Sequence, residues 1–360
     1  MAVAFHTLKV ADVRRETPEA VSIAFSVPPE LAGDYRFQPG QHLTLRTTFD
    51  GSECRRSYSI CTAPGDNELR VAVKKVADGQ FSTWINDALK PGDAIEVMTP
   101  QGRFGLAPDP AAGRIYLAIA AGSGITPVMS LARTLLAQEP RSEFVLIYGN
   151  RTSQSIIFKD ALDDLKDRFL ERLTVHHVLS REQQELPLLN GRIDAEKIEA
   201  LIGAIAPAAE IDHVFLCGPG DLIEGSKATL SRLGVPAARI HVEYFSSDGA
   251  PVPPRAPVRR EFAGETATIA TTQLTLQGAV HVIPMRADET IVDAGLRHGL
   301  DMPYSCRGGM CCTCRAKLIE GEVAMDLNYS LEPWELAAGY VLTCQSHPKT
   351  PRLVVDYDQV

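Results

Sequence analysis

Three successive rhythms in the chain predict a multidomain protein: an antiparallel β-barrel, then an α/β doubly wound parallel-sheet domain, then an α+β domain. Over residues 5–100, short alternating apolar runs separated by Gly and Pro turns are the signature of the barrel. From Arg114 onward each apolar strand is followed by a helical stretch, which asks for a parallel sheet with helices on both faces. Beyond a proline-rich gap the rhythm becomes a hairpin, a helix and further strands around a cysteine-dense loop. The expected boundaries are 1–108, 109–247, a linker at 248–262 and 263–360, since 360 residues are long for one core and suit two or three.

The barrel strands include 43–47, 58–61, 69–73 and 94–98, with one helix at about 81–89 ahead of the Pro91-Gly92-Asp93 turn. The parallel strands are 115–121, 144–149, 173–179, 213–217 and 240–245, with helices after the first four. Between Asp248 and Arg260 lie four prolines without periodicity, a semi-extended linker. The last domain then reads as a hairpin of 273–277 with 280–284, a helix at 290–298, and strands at 315–319 and 353–356.

Composition narrows the function classes. Apolar content of 45% and charged content of 22% are ordinary for a globular protein, and a net charge of −9 without a basic run argues against a nucleic-acid partner. Eight cysteines in so long a chain make no disulfide scaffold; for Cys54, Cys61 and Cys217 the plain reading is a small buried hydrophobe. Residues 115–132 carry no charge, but Gly122, Gly124 and Pro127 interrupt them, so strand, turn and helix fit better than a membrane span. The chain opens directly on a strand pattern with no signal-peptide core, which makes the cytoplasm the expected compartment.

The most specific signal is Cys306-Arg-Gly-Gly-Met-Cys311-Cys-Thr-Cys314, followed at a distance by Cys344. This is the plant-type C-x4-C-x2-C spacing with a remote fourth thiolate, as used to hold a [2Fe–2S] cluster. Cys306, Cys311, Cys314 and Cys344 are the expected ligands, with Gly308 and Gly309 letting the backbone wrap closely and aim N–H groups at sulfur. Cys312 falls outside the spacing. A structural zinc site also uses four cysteines, but as two close pairs; here three crowd one loop.

A one-electron cluster cannot take a hydride, so a two-electron donor needs an intermediary, for which flavin is usual. Arg56-Ser57-Tyr58-Ser59 offers a cation for a pyrophosphate, an aromatic face for a flat ring and a hydroxyl for a ring nitrogen, with Arg56 and Tyr58 on one side of the strand. Gly79 and Ser82 open a helix whose N-terminus suits phosphate, with Ser82 as its alternative role a simple cap. Gly122-Ser-Gly124-Ile-Thr126-Pro127 places a glycine turn at a strand's C-terminal end, Thr126 at the cap and Pro127 at the first helical position. Arg151, Ser180 and Arg181 follow the second and third parallel strands, where they could clasp a ribose 2′-phosphate and favour NADPH over NADH; solvated surface arginine is the plain alternative. Cys217 ends the fourth strand, a place near a nicotinamide as well as a packing position.

Taken in order, Arg-x-Tyr-Ser, Gly-x-x-Ser, Gly-Ser-Gly-Ile-Thr-Pro, Cys-Gly-Pro and the cysteine loop resemble the ferredoxin–NADP reductase superfamily with a plant-type ferredoxin domain at the C-terminus. The resemblance covers essentially the whole chain. Within it, the blocks at 36–45, 146–155 and 328–340 are most similar to the reductase subunits of phenylacetyl-CoA 1,2-epoxidases. The resemblance implies a β-grasp last domain and FAD held by Arg56 at its pyrophosphate, Tyr58 against the isoalloxazine and Ser59 near N5, with Ser82 at the phosphates. It further implies Thr126 and Cys217 flanking the nicotinamide, and Glu243 and Phe245 beside the flavin. Electrons would then pass from NADPH to FAD, to the [2Fe–2S] cluster, and on to a di-iron oxygenase. A ring-hydroxylating or steroid-hydroxylating oxygenase is the alternative acceptor, and a β-grasp docking protein without a cluster is the alternative of another class. The acids Asp288, Glu289, Asp293, Asp326, Glu332 and Glu335 read either as a face for a basic partner or as solvated surface.

Overall fold

A computed structural model describes residues 3–205, 208–245 and 268–359. The linker expected at 248–262 lies outside the described residues. Contacts divide the chain into two compact units, Thr7–Leu43 with Tyr58–Ala250, and Met1–His6 with Thr44–Ser57 and Pro251–Val360.

The first domain is built on β1 (Phe5–Thr17), β2 (Ala20–Ser26), β3 (His42–Phe49), β4 (Ser52–Ser59), β5 (Leu69–Lys74), α1 (Gln80–Asp87) and β6 (Ala94–Met98). Strand order is β4-β3-β6-β1-β2-β5, with β2 antiparallel to both β1 and β5. Just past β4, Ile60 bridges Val71 of β5, which closes the sheet into the expected barrel. Alternation drives the strands inward: Leu8, Val10, Ile23, Val71 and Val73 are all buried. The strand expected at 58–61 in fact begins at Ser52, because the polar run Glu53 to Ser57 hides a strand that alternation of apolar residues does not reveal.

The second domain follows as β7 (Ile115–Ala121), α2 (Ile125–Gln138), β8 (Glu143–Asn150), α3 (Lys159–Arg168), β9 (Leu173–Leu179), α4 (Ala195–Ile205), β10 (His213–Gly218), α5 (Gly220–Arg232) and β11 (Ile240–Tyr244). The strands are parallel in the order β11-β10-β7-β8-β9. The order reverses between β7 and β10, and the crevice at their C-terminal ends is where ligands of open α/β sheets bind. Its core, including Tyr116, Phe144, Phe215 and Leu131, is continuous with Cys61, Ala72 and Phe104 from the barrel side.

The last domain comprises β12 (Thr268–Leu276), β13 (Ala279–Arg286), α6 (Ile291–Arg297), β14 (Arg315–Glu320), β15 (Val323–Met325), α7 (Pro333–Ala337), β16 (Tyr340–Leu342), β17 (Ser346–Pro348) and β18 (Arg352–Asp356). Its mixed sheet runs β13-β12-β18-β14-β16, with β12 and β18 parallel and the other pairs antiparallel, the β-grasp arrangement. Thr290 caps α6 by accepting the Asp293 N–H. Leu274, Met285, Ile291, Met302 and Val355 fill the core beneath it. No helix among the described residues is long and apolar enough to cross a membrane.

Candidate flavin, nucleotide and cluster sites

At the end of β4 the strand alternation leaves Arg56 exposed and Tyr58 half-buried on one side, and turns Ser59 inward on the other. The Tyr58 ring is tilted at 39° to that of Phe81, with centroids 6.1 Å apart. Arg56 Nη1 donates to its neighbour's carbonyl, Arg55 O, at 2.8 Å. The helix is capped by Gly79, so the alternative role of Ser82 as a simple cap does not apply, and Ser82 lies within the first turn. Its hydroxyl donates to Gly79 O at 3.1 Å and accepts the Val76 N–H at 3.1 Å, so it braces the loop from within.

Ser59 reaches across to the switch-point crevice. Its hydroxyl donates to Glu243 Oε2 at 3.0 Å, and Cys217 Sγ lies 4.0 Å from the same oxygen. Three residues drawn from β4, β10 and β11 thus converge on one point, and Glu243 stands directly opposite Cys217 in the β10–β11 register. Burial pushes the Glu243 carboxyl up to about 8, with the Ser59 hydroxyl only partly opposing it. Burial first, and the Glu243 charge second, raise the Cys217 thiol well above its ordinary value, so it sits as a neutral thiol. Phe245, just past β11, packs on the adjoining core and its N–H bonds Gly218 O at 3.0 Å.

The glycine turn after β7 differs from expectation. Gly122–Gly124 forms a 3-10 turn that runs without a break into α2, so Thr126 and Pro127 lie inside the first turn rather than at the cap and first helical position. Thr126 Oγ1 accordingly turns back and donates to Ser123 O at 3.0 Å. The reason for the glycine is visible at Gly124, where a Cβ would lie 2.2 Å from the Cys217 carbonyl oxygen. Tyr148 OH donates to Gly122 O at 2.9 Å and fixes the turn from below. Lys74, at the end of β5, brings its Nζ to 3.7 Å of the point where a Gly122 Cβ would stand, a cation at the turn that the sequence reading did not single out.

The ends of β8 and β9 are tied by Ser180 N–H to Asn150 O at 2.9 Å and Arg181 N–H to Arg151 O at 2.8 Å, which brings Arg151, Ser180 and Arg181 together with all three exposed. Among the described residues, buried Asn150 Nδ2 at the same strand end lies beside the Tyr148 side chain and makes no hydrogen bond of good geometry, a donor suited to a ligand. Its signal in the sequence was only its place in Tyr-Gly-Asn-Arg.

The thiols pair two by two, Cys306 with Cys311 and Cys314 with Cys344, while no three His, Cys, Asp or Glu side chains among the described residues converge on a single metal ion. Gly308 N–H and Met310 N–H point at Cys306 Sγ at 3.3 and 3.4 Å, and Gln345 Nε2 donates to Cys344 Sγ at 3.4 Å. The Cys311 hydrogen bond and these backbone donors lower the Cys306 thiol to about 6 despite burial. Donors aimed at sulfur are what cluster thiolates need, so these residues fit a [2Fe–2S] group. Only one of the two glycines is sterically demanded: at Gly309, with φ +74°, a Cβ would sit 2.9 Å from Leu327 O, whereas at Gly308 the nearest atom would be Cys306 O at 3.7 Å, an ordinary contact. Cys312 turns away in a left-handed conformation, and burial pushes its thiol up to about 11.

The acidic face is largely corrected by internal pairing. Glu335 is buried against Arg315 at 2.8 Å, Glu289 pairs with Arg297, Asp293 with Arg307 at 2.9 Å and Asp326 with His347 at 2.9 Å. Asp288 and Glu332 remain exposed.

Residues 8–105 match the oxidoreductase FAD-binding domain, 118–228 the oxidoreductase NAD-binding domain and 274–349 the 2Fe-2S iron-sulfur cluster binding domain. The chain is 47% identical to a subunit of the 1,2-phenylacetyl-CoA epoxidase of Escherichia coli (strain K12), over 98% of each chain. It is 37% identical to the ferredoxin reductase component of 3-ketosteroid-9-alpha-monooxygenase from Rhodococcus rhodochrous, over 97% of this chain and 96% of that one. Among solved structures, phthalate dioxygenase reductase, described as a modular structure for electron transfer from pyridine nucleotides to [2Fe-2S], aligns over 98% of each chain with a TM-score of 0.60 and 26% identity.

Proposed function

Because this chain belongs to the ferredoxin–NADP reductase superfamily, in the branch that ends in a plant-type [2Fe–2S] domain, we propose that it is the reductase component of a di-iron oxygenase that epoxidises the ring of phenylacetyl-CoA. Electrons run from NADPH through FAD and the cluster to that oxygenase, and phenylacetyl-CoA never meets this chain. The observation that carries the reading is the meeting of Ser59, Glu243 and Cys217 at the switch point of a chain that also holds the four-cysteine loop. The 47% identity over 98% of the epoxidase component supports the choice of partner.

When bound, FAD exchanges electron pairs with the nicotinamide and single electrons with the cluster. The chain's own residues bind, orient and supply protons. Arg56 neutralises the flavin pyrophosphate, Tyr58 covers the ring, and Gly79 and Ser82 shape the loop and helix start for phosphate. Glu243, with its carboxyl at about 8, holds a proton at Ser59 Oγ near neutrality. Gly122, Gly124, Thr126 and Cys217 form the wall for the nicotinamide half, with Phe245 beside it. Arg151, Ser180 and Arg181 take the 2′-phosphate, while the neighbouring Glu182 carboxylate is held by Ser153 N–H at 2.8 Å. Cys306, Cys311, Cys314 and Cys344 hold the cluster. The domain limits we assign are 1–108, 109–247 and 263–360, and eight free thiols are in keeping with a cytoplasmic setting.

Mixing the purified holoprotein with the phenylacetyl-CoA oxygenase subunits and NADPH is expected to consume phenylacetyl-CoA. If it does not, while a generic acceptor is still reduced, the epoxidase assignment fails. The steroid reductase relative at 37% identity makes a 3-ketosteroid oxygenase the second acceptor to assay. Arg181→Ala is expected to weaken NADPH about 10-fold or more relative to NADH, as for loss of a charge-assisted hydrogen bond; equal loss for both nucleotides removes the 2′-phosphate role.

A further inference from the structure

One residue before Arg56, the β3–β4 hairpin carries a second arginine that faces the other way and is only 4% exposed. Each nitrogen of the Arg55 guanidinium has an acceptor: Nε meets Glu53 Oε1 at 2.8 Å, Nη1 donates to Met302 O at 2.9 Å and Nη2 meets Asp301 Oδ1 at 2.8 Å. Its Cζ stands 4.2 Å from the Tyr304 ring centroid, and Tyr304 OH donates to Glu53 Oε1 at 3.0 Å. Arg46 on β3 adds a second cation, with Nη1 3.2 Å from both Asp301 carboxylate oxygens and its Cζ 3.8 Å from the Phe5 centroid. All of these residues lie in the unit formed by Met1–His6, Thr44–Ser57 and Pro251–Val360.

Each of the two segments joined at this node leads to a redox motif. In one direction the hairpin continues to Tyr58 and Ser59, the flavin motif; in the other, 301–304 continues within two residues to Cys306. A buried charge with a partner at each nitrogen fixes one register more than it adds stability, because any shift leaves a buried guanidinium or carboxylate without its partner.

We propose that Arg55 is a positioning residue for electron delivery through the cluster, a latch that locks the arm of the cluster loop at 301–304 to the 52–57 stretch of strand within one unit. This rests on the electron-carrying reading above. Only arginine serves, because the planar fork reaches Glu53, Asp301 and the Met302 carbonyl at once, which a lysine point charge does not.

In the full-length holoprotein, Arg55→Ala is expected to slow NADPH-driven cytochrome c reduction about tenfold or more, the scale of a small misplacement of reacting groups. Anaerobic flavin reduction by NADPH and iron content should hold. Hydrogen exchange read by mass spectrometry should rise together in 44–57 and in 299–304. Arg55→Lys is expected to fall between alanine and wild type. Should Arg55→Ala fail to fold, Asp301→Asn, at the exposed end of the node, gives a smaller change of the same sign in both readouts. Cytochrome c reduction unchanged at normal iron content, or exchange that rises in only one of the two segments, overturns the latch. A wild-type protein that passes no electrons from NADPH to cytochrome c refutes the electron-carrying reading instead, and the paired exchange still decides the contact.

Discussion

The glycine turn at Gly122–Gly124 and the cysteine loop at 306–314 look alike in composition but do opposite things with a missing Cβ. At Gly124 the space is filled by protein, the Cys217 carbonyl, so that two strand ends can close up and present a crevice. At Gly309 the freedom serves to bend backbone donors toward sulfur. The first loop therefore makes a site only with partners far away in sequence, whereas the second carries three of its four cysteines with it. A local motif is thus informative in proportion to how many of its ligands lie within it.

Removing a ligand tests the self-contained loop. Cys344→Ser is expected to abolish the cluster and all reduction of one-electron acceptors through it, while flavin reduction by NADPH persists; iron and acid-labile sulfide read the loss. Full iron content in this variant would show that the remote cysteine is not a ligand.

The distributed site is tested by crowding. Gly124→Ala places a methyl 2.2 Å from Cys217 O, so the crevice must open. We expect a loss of about 1–3 kcal/mol in stability by denaturant melting, the usual cost of overpacking, together with weaker nucleotide binding. The cluster's absorbance should not change. If the cluster is lost as well, the two loops are not the independent devices described here.

The effect confined to a pH window concerns Glu243. Its folded carboxyl lies at about 8 against an ordinary 4.5, so across that window the folded protein keeps a proton that the unfolded chain has lost. Stability should therefore fall as pH rises through the window, with the loss complete above the folded value. The full penalty is on the order of 2–4 kcal/mol, less than complete burial would give because the carboxylate keeps some solvent contact. Glu243→Gln should flatten the slope and melt higher than wild type at alkaline pH; an unchanged slope would place the carboxyl in a more polar setting than the geometry indicates.

Much of the fold was legible. The parallel strands Ile115–Ala121 and Leu173–Leu179 fall where expected to the residue, and for the central Ile115–Ala121 the reason is that a strand buried on both faces writes itself as a continuous hydrophobic run. The β4 strand and the small strands β15 and β17 were not, since Glu53 to Ser57 and Ser346 to Pro348 have no apolar alternation. The acids illustrate a second kind of illegibility: Glu335 reads as surface and is buried, because its partner Arg315 is brought to it by a separate strand.

Local period and spacing along the chain were therefore enough for the three-domain order, the parallel strands and the four cysteines. Packing in space was needed to learn that Ser59, Cys217 and Glu243 meet, that Asn150 and Lys74 reach the nucleotide end, and that Arg55 rather than Arg56 is the buried one. Burial and proton affinity depend on neighbours in three dimensions, and those neighbours come from strands separated by as much as 184 residues in the chain.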